Sequence, residues 1–145
     1  MTDVLHVSRE EYLAKVTELR DAGFNMCVDV TAVDYLDHPG RELPEGFEAL
    51  RFEVVTQLLN MAEAKRVRIR VQVPEEEPHV STLFQVYPGA EAFEREAFDM
   101  MGIVFDDHPD LTRILMPEDW EGHPLRKDFE NPRVPVQFKH PRASK

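Results

Sequence analysis

Cysteine is almost absent from this chain: Cys27 is the only one among its 145 residues. A single thiol excludes an internal disulfide and any zinc site or iron–sulfur cluster held by this chain's own cysteines. Cys27 lies in the apolar run Met26-Cys27-Val28 and reads as a small buried hydrophobe, which points to a reducing compartment. Glycine is also scarce, and the six present are scattered, leaving no G-x-G-x-x-G, no phosphate loop and no G-x-S-x-G elbow. No stretch approaches the roughly 18 consecutive apolar residues of a membrane span. The opening MTDVLHVSREEY has no apolar run and carries acidic residues early, so no signal peptide is expected and the chain reads as soluble and cytoplasmic. Basic residues are outnumbered 17 to 28, for a net charge of −11. A surface of that sign is repelled by phosphate backbones, which argues against nucleic acid as a partner.

The charge is uneven. From Leu125 onward there are Arg126, Lys127, Arg133, Lys139, Arg142 and Lys145 against only Asp128 and Glu130. The end of the chain is therefore basic and everything before it strongly acidic. The expected organisation is a globular domain over 1–124 followed by an extended, basic, partner-docking tail over 125–145. Val134, Val136 and Phe138 alternate within that tail between prolines, as an extended segment would, and from the residues alone simple terminal disorder is an equal alternative to a partner-docking arm.

With 42% hydrophobic and 31% charged residues, the composition is that of a globular chain large enough for one core. Ser8 to Glu11 forms a capping box, and Tyr12, Leu13, Val16 and Leu19 follow at helical spacing before Gly23, which predicts a helix over 9–22. β-branched density predicts a strand over 25–36. Residues 37–48 are rich in proline, glycine and charge and form a loop; His38 in it, beside Asp37 and Asp34, reads as solvated rather than metal-bound. Phe52 to Asn60 is an apolar, central strand. Lys65 to Val73 alternates strictly, with Val67, Ile69, Val71 and Val73 on one side and Arg66, Arg68, Arg70 and Gln72 on the other, a half-buried strand. Its arginine row reads first as a solvated face with salt bridges, second as a surface for a partner. Residues 80–87 form a strand or a helical turn, and 90–101 a helix whose apolar stripe includes Ala90, Phe93, Ala97, Met100 and Met101. On that wheel Glu91, Arg95 and Asp99 fall on the outer face as i,i+4 pairs, with Glu94 and Glu96 on the two margins. The fold class is α+β: a mixed or antiparallel sheet packed with helices, then an extended carboxy-terminal arm.

Chemistry-bearing residues concentrate between Glu94 and Phe129. A hydrolytic carboxylate pair from Glu94 and Glu96 fails, because one helix sends them about 160° apart on a 100° wheel. Asp106, Asp107, His108 and Asp110 offer hard ligands and one imidazole, but Pro109 scatters neighbouring side chains, and His123 brings no two-histidine helical spacing. Trp120 reads as a packing anchor or a ligand platform in equal measure. A stand-alone carboxylate or metal-dependent enzyme remains the rival of another class.

The same residues carry a resemblance. Glu94-Arg95-Glu96, Asp99, Gly102-Ile103, Phe105, His108-Pro109-Asp110-Leu111, Arg113-Ile114-Leu115 and Pro124-Leu125-Arg126-Lys127-Asp128-Phe129 closely resemble the signature of one family, the 30-kilodalton or C subunit of respiratory NADH-quinone oxidoreductase. The family's tryptophans ahead of the Glu-Arg-Glu triplet are replaced here by Tyr87 and Phe93, and a basic position by Thr112. The resemblance implies a non-catalytic core subunit of the peripheral arm, with no catalytic, cofactor-binding or metal-binding residue in this chain. NADH, flavin, iron–sulfur clusters and quinone would be bound by partner subunits. The implied interface residues are Glu94, Arg95, Glu96, Asp99, Gly102, His108, Pro109, Asp110, Arg113, Pro124, Leu125, Arg126, Lys127, Asp128 and Phe129. The implied partners are the quinone-site D subunit and neighbouring iron–sulfur subunits, with attachment to the cytoplasmic side of the cell membrane through those partners. Membrane-bound hydrogenases and dehydrogenases fed by other donors have related subunits.

Overall fold

The computed structural model describes residues 2–130. Its backbone is a four-stranded mixed sheet in the order β1-β4-β3-β2, formed by β1 (Thr2–His6), β2 (Met26–Asp34), β3 (Phe52–Asn60) and β4 (Lys65–Val73). β2, β3 and β4 run antiparallel, whereas β1 joins β4 in parallel, with Val4 beside Arg68 and Leu5 beside Ile69. A second, two-stranded parallel sheet pairs β5 (His79–Ser81) with β6 (Val104–Asp106).

The expected bounds of β3 and β4 coincide with the observed ones, since period-2 alternation and the turn at 61–64 define both ends. That turn needs a left-handed residue, taken by Ala64 at φ 53°, and the Asn60 side chain accepts the Glu63 amide to shape it. β1 and β6 were not anticipated: each is short, and each finds its partner far away in sequence. β5 takes up the start of the 80–87 segment expected as a strand or a helical turn, and residues 84–86 turn. The strand expected over 25–36 is shorter, with a bulge between Cys27 and Asp29.

Helix α1 (Arg9–Asp21) starts where the capping box places it. The Ser8 hydroxyl accepts from the Glu11 amide at 3.3 Å, and Gly23, at φ +102°, carries the chain out through a left-handed turn. A 3₁₀ turn (Pro88–Ala90) then leads into α2 (Glu91–Met101), which Gly102 ends at φ +74°. Both helices lie on one face of the sheet. There Tyr12, Val16, Phe52, Val54, Leu58, Ile69, Val71, Leu83, Ile103 and Phe105 form the dry core, each worth about 1.5–3 kcal/mol when fully buried. The Tyr12 hydroxyl, inside this core, is satisfied by Thr56 Oγ1 at 2.6 Å.

On the other face, the loop between β2 and β3 covers the end of the sheet nearest Asp34. Arg41 stacks on Tyr35 with its guanidinium 3.6 Å from the ring centre, Phe47 meets His6, and Glu53 is buried between Arg70 and Gln72. The arginine row is thus divided. Arg70 pairs with Glu53 at 2.6 Å, while Arg66 and Arg68 stay exposed beyond the reach of the loop.

Candidate functional site

Helix α2 and the chain that follows it form one interlocked unit, built on a carboxylate that the helical wheel placed outside. Asp99 is fully buried. Its Oδ2 accepts the backbone amides of Ile114, Leu115 and Met116 at 3.1, 2.7 and 2.9 Å, and its Oδ1 accepts from Arg113 at 2.8 Å. The expected Arg95–Asp99 pair on the outer face is therefore corrected. Arg95 keeps its Glu91 partner at 3.5 Å and otherwise donates to Thr112 and the Arg113 carbonyl. Burial works to raise the Asp99 carboxyl, but three amides and a guanidinium outweigh it and hold the group below the usual carboxylate range.

Glu94, also fully buried, is the counterexample on the same helix. It accepts from the Thr82 hydroxyl at 2.5 Å and the Leu83 amide at 2.7 Å, but its nearest cationic candidate is the His108 ring at 3.8 Å. Burial prevails and the carboxyl is pushed up. Glu96 points to solvent, so the two glutamates are separated by the body of the helix.

His108 is occupied as well. Its Nδ1 accepts the Asp110 amide at 3.0 Å and its Nε2–H donates to the Glu91 carbonyl at 3.2 Å, which fixes the neutral tautomer and leaves no lone pair for a metal. Among the described residues no group of three or more His, Cys, Asp or Glu side chains could hold a metal ion. His123 donates from Nδ1 to the Asp99 carbonyl at 3.0 Å, and burial lowers its basicity. Cys27 is likewise a packing residue, its thiol pushed up to about 12 by burial.

Residues 125–129 lie against the domain. The Leu125 amide donates to the Met100 carbonyl at 3.0 Å, and Arg126 donates to the Met101 carbonyl at 2.7 Å while its guanidinium sits 5.0 Å from the Phe52 ring centre. The Lys127 amide reaches Asp34 at 2.9 Å, and Asp128 pairs with Arg51 at 2.7 Å. Arg51 is the hub of this end, holding both oxygens of buried Asp34 and Glu75 as well. Gly102 makes the fit possible: a Cβ there would stand 2.5 Å from the Arg126 guanidinium and 2.7 Å from the His123 ring. Phe129 closes over Gly122 in the same way. The remainder of the expected tail, 131–145, lies outside the described residues.

The interface residues expected from the sequence therefore fall into two groups. Glu94, Asp99, Gly102, His108, Arg113, Pro124, Arg126 and Phe129 are buried or half-buried and hold the unit together, with Arg95 partly covered. Glu96, Pro109, Asp110, Leu125, Lys127 and Asp128 face outward. Beside Leu125 stand three apolar side chains that the sequence did not single out as a surface, Ile114, Leu115 and Trp120; the four are between 39 and 58% exposed. Leu125 also borders a shallow groove with Ala32, Val33, Tyr35, His38 and Met101. The Asp34–Arg51 hub was missed too, because its members are 17 residues apart with no local pattern linking them.

The arrangement defines a class: an α+β domain whose second helix serves as an anchor for a polar-pinned, outwardly apolar segment, without a converging catalytic group among the described residues. A family model described as respiratory-chain NADH dehydrogenase, 30 Kd subunit, matches residues 5–134, and the chain belongs to that family. It is 47% identical over 139 residues to the NADH-quinone oxidoreductase C subunit of Salinispora arenicola, covering 93% of this chain and 53% of that one. The corresponding figures for the C subunit of a Nocardioides species are 44% over 137 residues, 92% and 51%. The chain thus spans about half the length of these relatives. Among solved structures, the trypsin-resistant fragment (1-134) of Nqo5 is 34% identical, with a TM-score of 0.66 over 74% of this chain and 81% of that one. A chain of the archaeal membrane-bound sulfane sulfur reductase shares the fold, with a TM-score of 0.78 and 19% identity over 99% of this chain and 85% of that one.

Proposed function

We propose that this chain is a non-catalytic core subunit of the peripheral arm of a proton-translocating NADH-quinone oxidoreductase, and that the outer surface of residues 94–129 is where it docks. The observation that carries this reading is the pairing of two opposite features in one segment. Residues 113–128 are pinned from beneath by Asp99, Arg51 and Asp34, yet they turn Ile114, Leu115, Trp120 and Leu125 outward. Holding apolar side chains in water on a rigid support is unfavourable for an isolated domain and suits a preorganised interface. The partner we propose for this surface is the quinone-site D subunit, with neighbouring iron–sulfur subunits around it. NADH, flavin, iron–sulfur clusters and quinone belong to those partners. No described helix is long and apolar enough to cross a membrane, and attachment to the cytoplasmic face of the membrane runs through the partners.

The test is a double variant, Leu115→Asp/Leu125→Asp, in the full-length chain. Both side chains are more than half exposed, so the variant is expected to fold with its thermal midpoint within about 2 °C of the parent. It should be lost from the membrane fraction that oxidises NADH with quinone as acceptor. Recovery of the folded variant in that fraction at the parent's level would overturn the docking role. Comparing NADH with other donors in the parent fraction identifies the electron source.

A further inference from the structure

The sheet has a second open surface, on the side away from the helices. Registration across the strands puts Met26, Leu59 and Arg66 in one row and Asp29, Gln57, Arg68 and Val4 in the next. The loop between β2 and β3 covers only the rows nearer Asp34, so these two are uncovered. Val4 and Met26 are 47% and 44% exposed, and Leu59 is half-buried between them.

Arg66 and Arg68 have an unusual status on this surface. Arg9, Arg41, Arg51, Arg70, Arg95 and Arg113 each have a carboxylate partner, and Arg20 and Arg126 donate to the carbonyls of Val86 and Met101, whereas among the described residues Arg66 and Arg68 have neither. The chain holds 28 acidic residues, so unpaired neighbouring cations cannot be put down to a shortage of carboxylates. Two residues apart on one strand, they present positive charge about 7 Å apart, flanked by apolar side chains.

We infer that this face, formed by Met26, Leu59, Arg66, Arg68 and Val4, is a second docking surface for an acidic, amphipathic segment of another subunit of the same assembly. The proposal rests on the reading of the chain as a subunit. Charge complementarity selects the occupant. Carboxylates spaced at i,i+2 in an extended segment or i,i+4 on a helix match the separation of the two guanidiniums, and apolar residues between them cover Val4 and Leu59. The chain's own residues 131–145 carry Arg133, Lys139, Arg142 and Lys145 and no Asp or Glu, so they repel this face. The net charge of −11 likewise disfavours nucleic acid and anionic lipid.

The experiment places a photo-crosslinking phenylalanine analogue at Gln57, at the centre of the face, in the full chain within the purified assembly. The expected product joins position 57 to an acidic segment of a different subunit. In parallel, Arg66→Glu/Arg68→Glu should leave the thermal midpoint of the chain unchanged, because neither side chain is paired, and weaken its retention in the assembly about tenfold. Reversing the charges of the crosslinked acidic segment should restore retention. A chain that assembles but yields no crosslink, or crosslinks to residues 131–145, a second copy, lipid or nucleic acid, overturns this inference and leaves the docking of residues 94–129 intact. A chain absent from the assembly overturns both.

Discussion

Replacing Asp99 by asparagine tests the anchor directly. The substitution preserves shape but leaves one oxygen where two served. If that oxygen keeps the three amides of Ile114, Leu115 and Met116, the new NH₂ group faces Arg113, and a charge-assisted bond worth about 1.5–3 kcal/mol is lost. The guanidinium, only 15% exposed, also loses its counterion, which brings the cost near the 3–5 kcal/mol typical of a broken buried pair. We take about 3 kcal/mol. At roughly 2–4 °C per kcal/mol for a chain of this size, the thermal midpoint should fall by about 6–12 °C. Release of the segment sets a ceiling: once residues 113–116 lift away, the new amide and Arg113 meet water and the penalty stops growing. Hydrogen exchange separates the two effects. Protection at Ile114, Leu115 and Met116 should drop by at least about 100-fold, the equivalent of about 2.7 kcal/mol at 1.36 kcal/mol per decade, whether or not the global midpoint moves by the full amount. Unchanged protection of these three amides would refute the anchor, and so would an Asp99→Asn variant within about 0.5 kcal/mol of the parent.

Gly102→Ala should cost about 2–4 kcal/mol, combining a left-handed backbone with displacement of Arg126 and His123; chemical denaturation measures it, and a loss below about 0.5 kcal/mol would show that the arm gives way freely. The buried acids pull the pH dependence of stability in opposite directions. Asp99 and Asp34 titrate below their unfolded values, so their contribution is complete above about pH 4 and is lost as pH falls through the lowered folded values. Glu94 is raised, so its contribution is complete below about pH 4 and is lost as pH rises through the folded value. Glu94→Gln should therefore flatten the decline that sets in above about pH 4 while leaving the acid limb in place. Denaturation midpoints between about pH 3 and 9 decide it, and an unaltered slope above about pH 4 would count against a raised Glu94.

How much of this was legible beforehand follows from where each partner lies. β3, β4 and α1 are specified by neighbours within a few residues, through alternation and a capping box, and their bounds agree closely with expectation. β1 offers no such pattern in Thr2–His6 and acquires its structure from β4 some 60 positions away. Asp99 was misassigned for the same reason. A helical wheel weighs only the helix's own residues, whereas the amides that satisfy Asp99 arrive 15 to 17 residues later from a segment without regular structure. The family motif had already grouped Asp99 with Arg113, Ile114 and Leu115; the wheel could not show that they touch.

The parallel seat of β1 beside β4 has a consequence for synthesis. The earliest strand in the described chain can be seated only after β4 has emerged, so its residues wait while β2, β3 and β4 form their sequence-adjacent antiparallel pairs. Until it arrives, the far side of β4 exposes a row of unpaired backbone donors and acceptors, the kind of edge that recruits strands from other molecules. Fusions or substitutions that delay Thr2–His6 should thus act first on the yield of folded chain, by lengthening that open interval, and only weakly on the stability of molecules that have already closed.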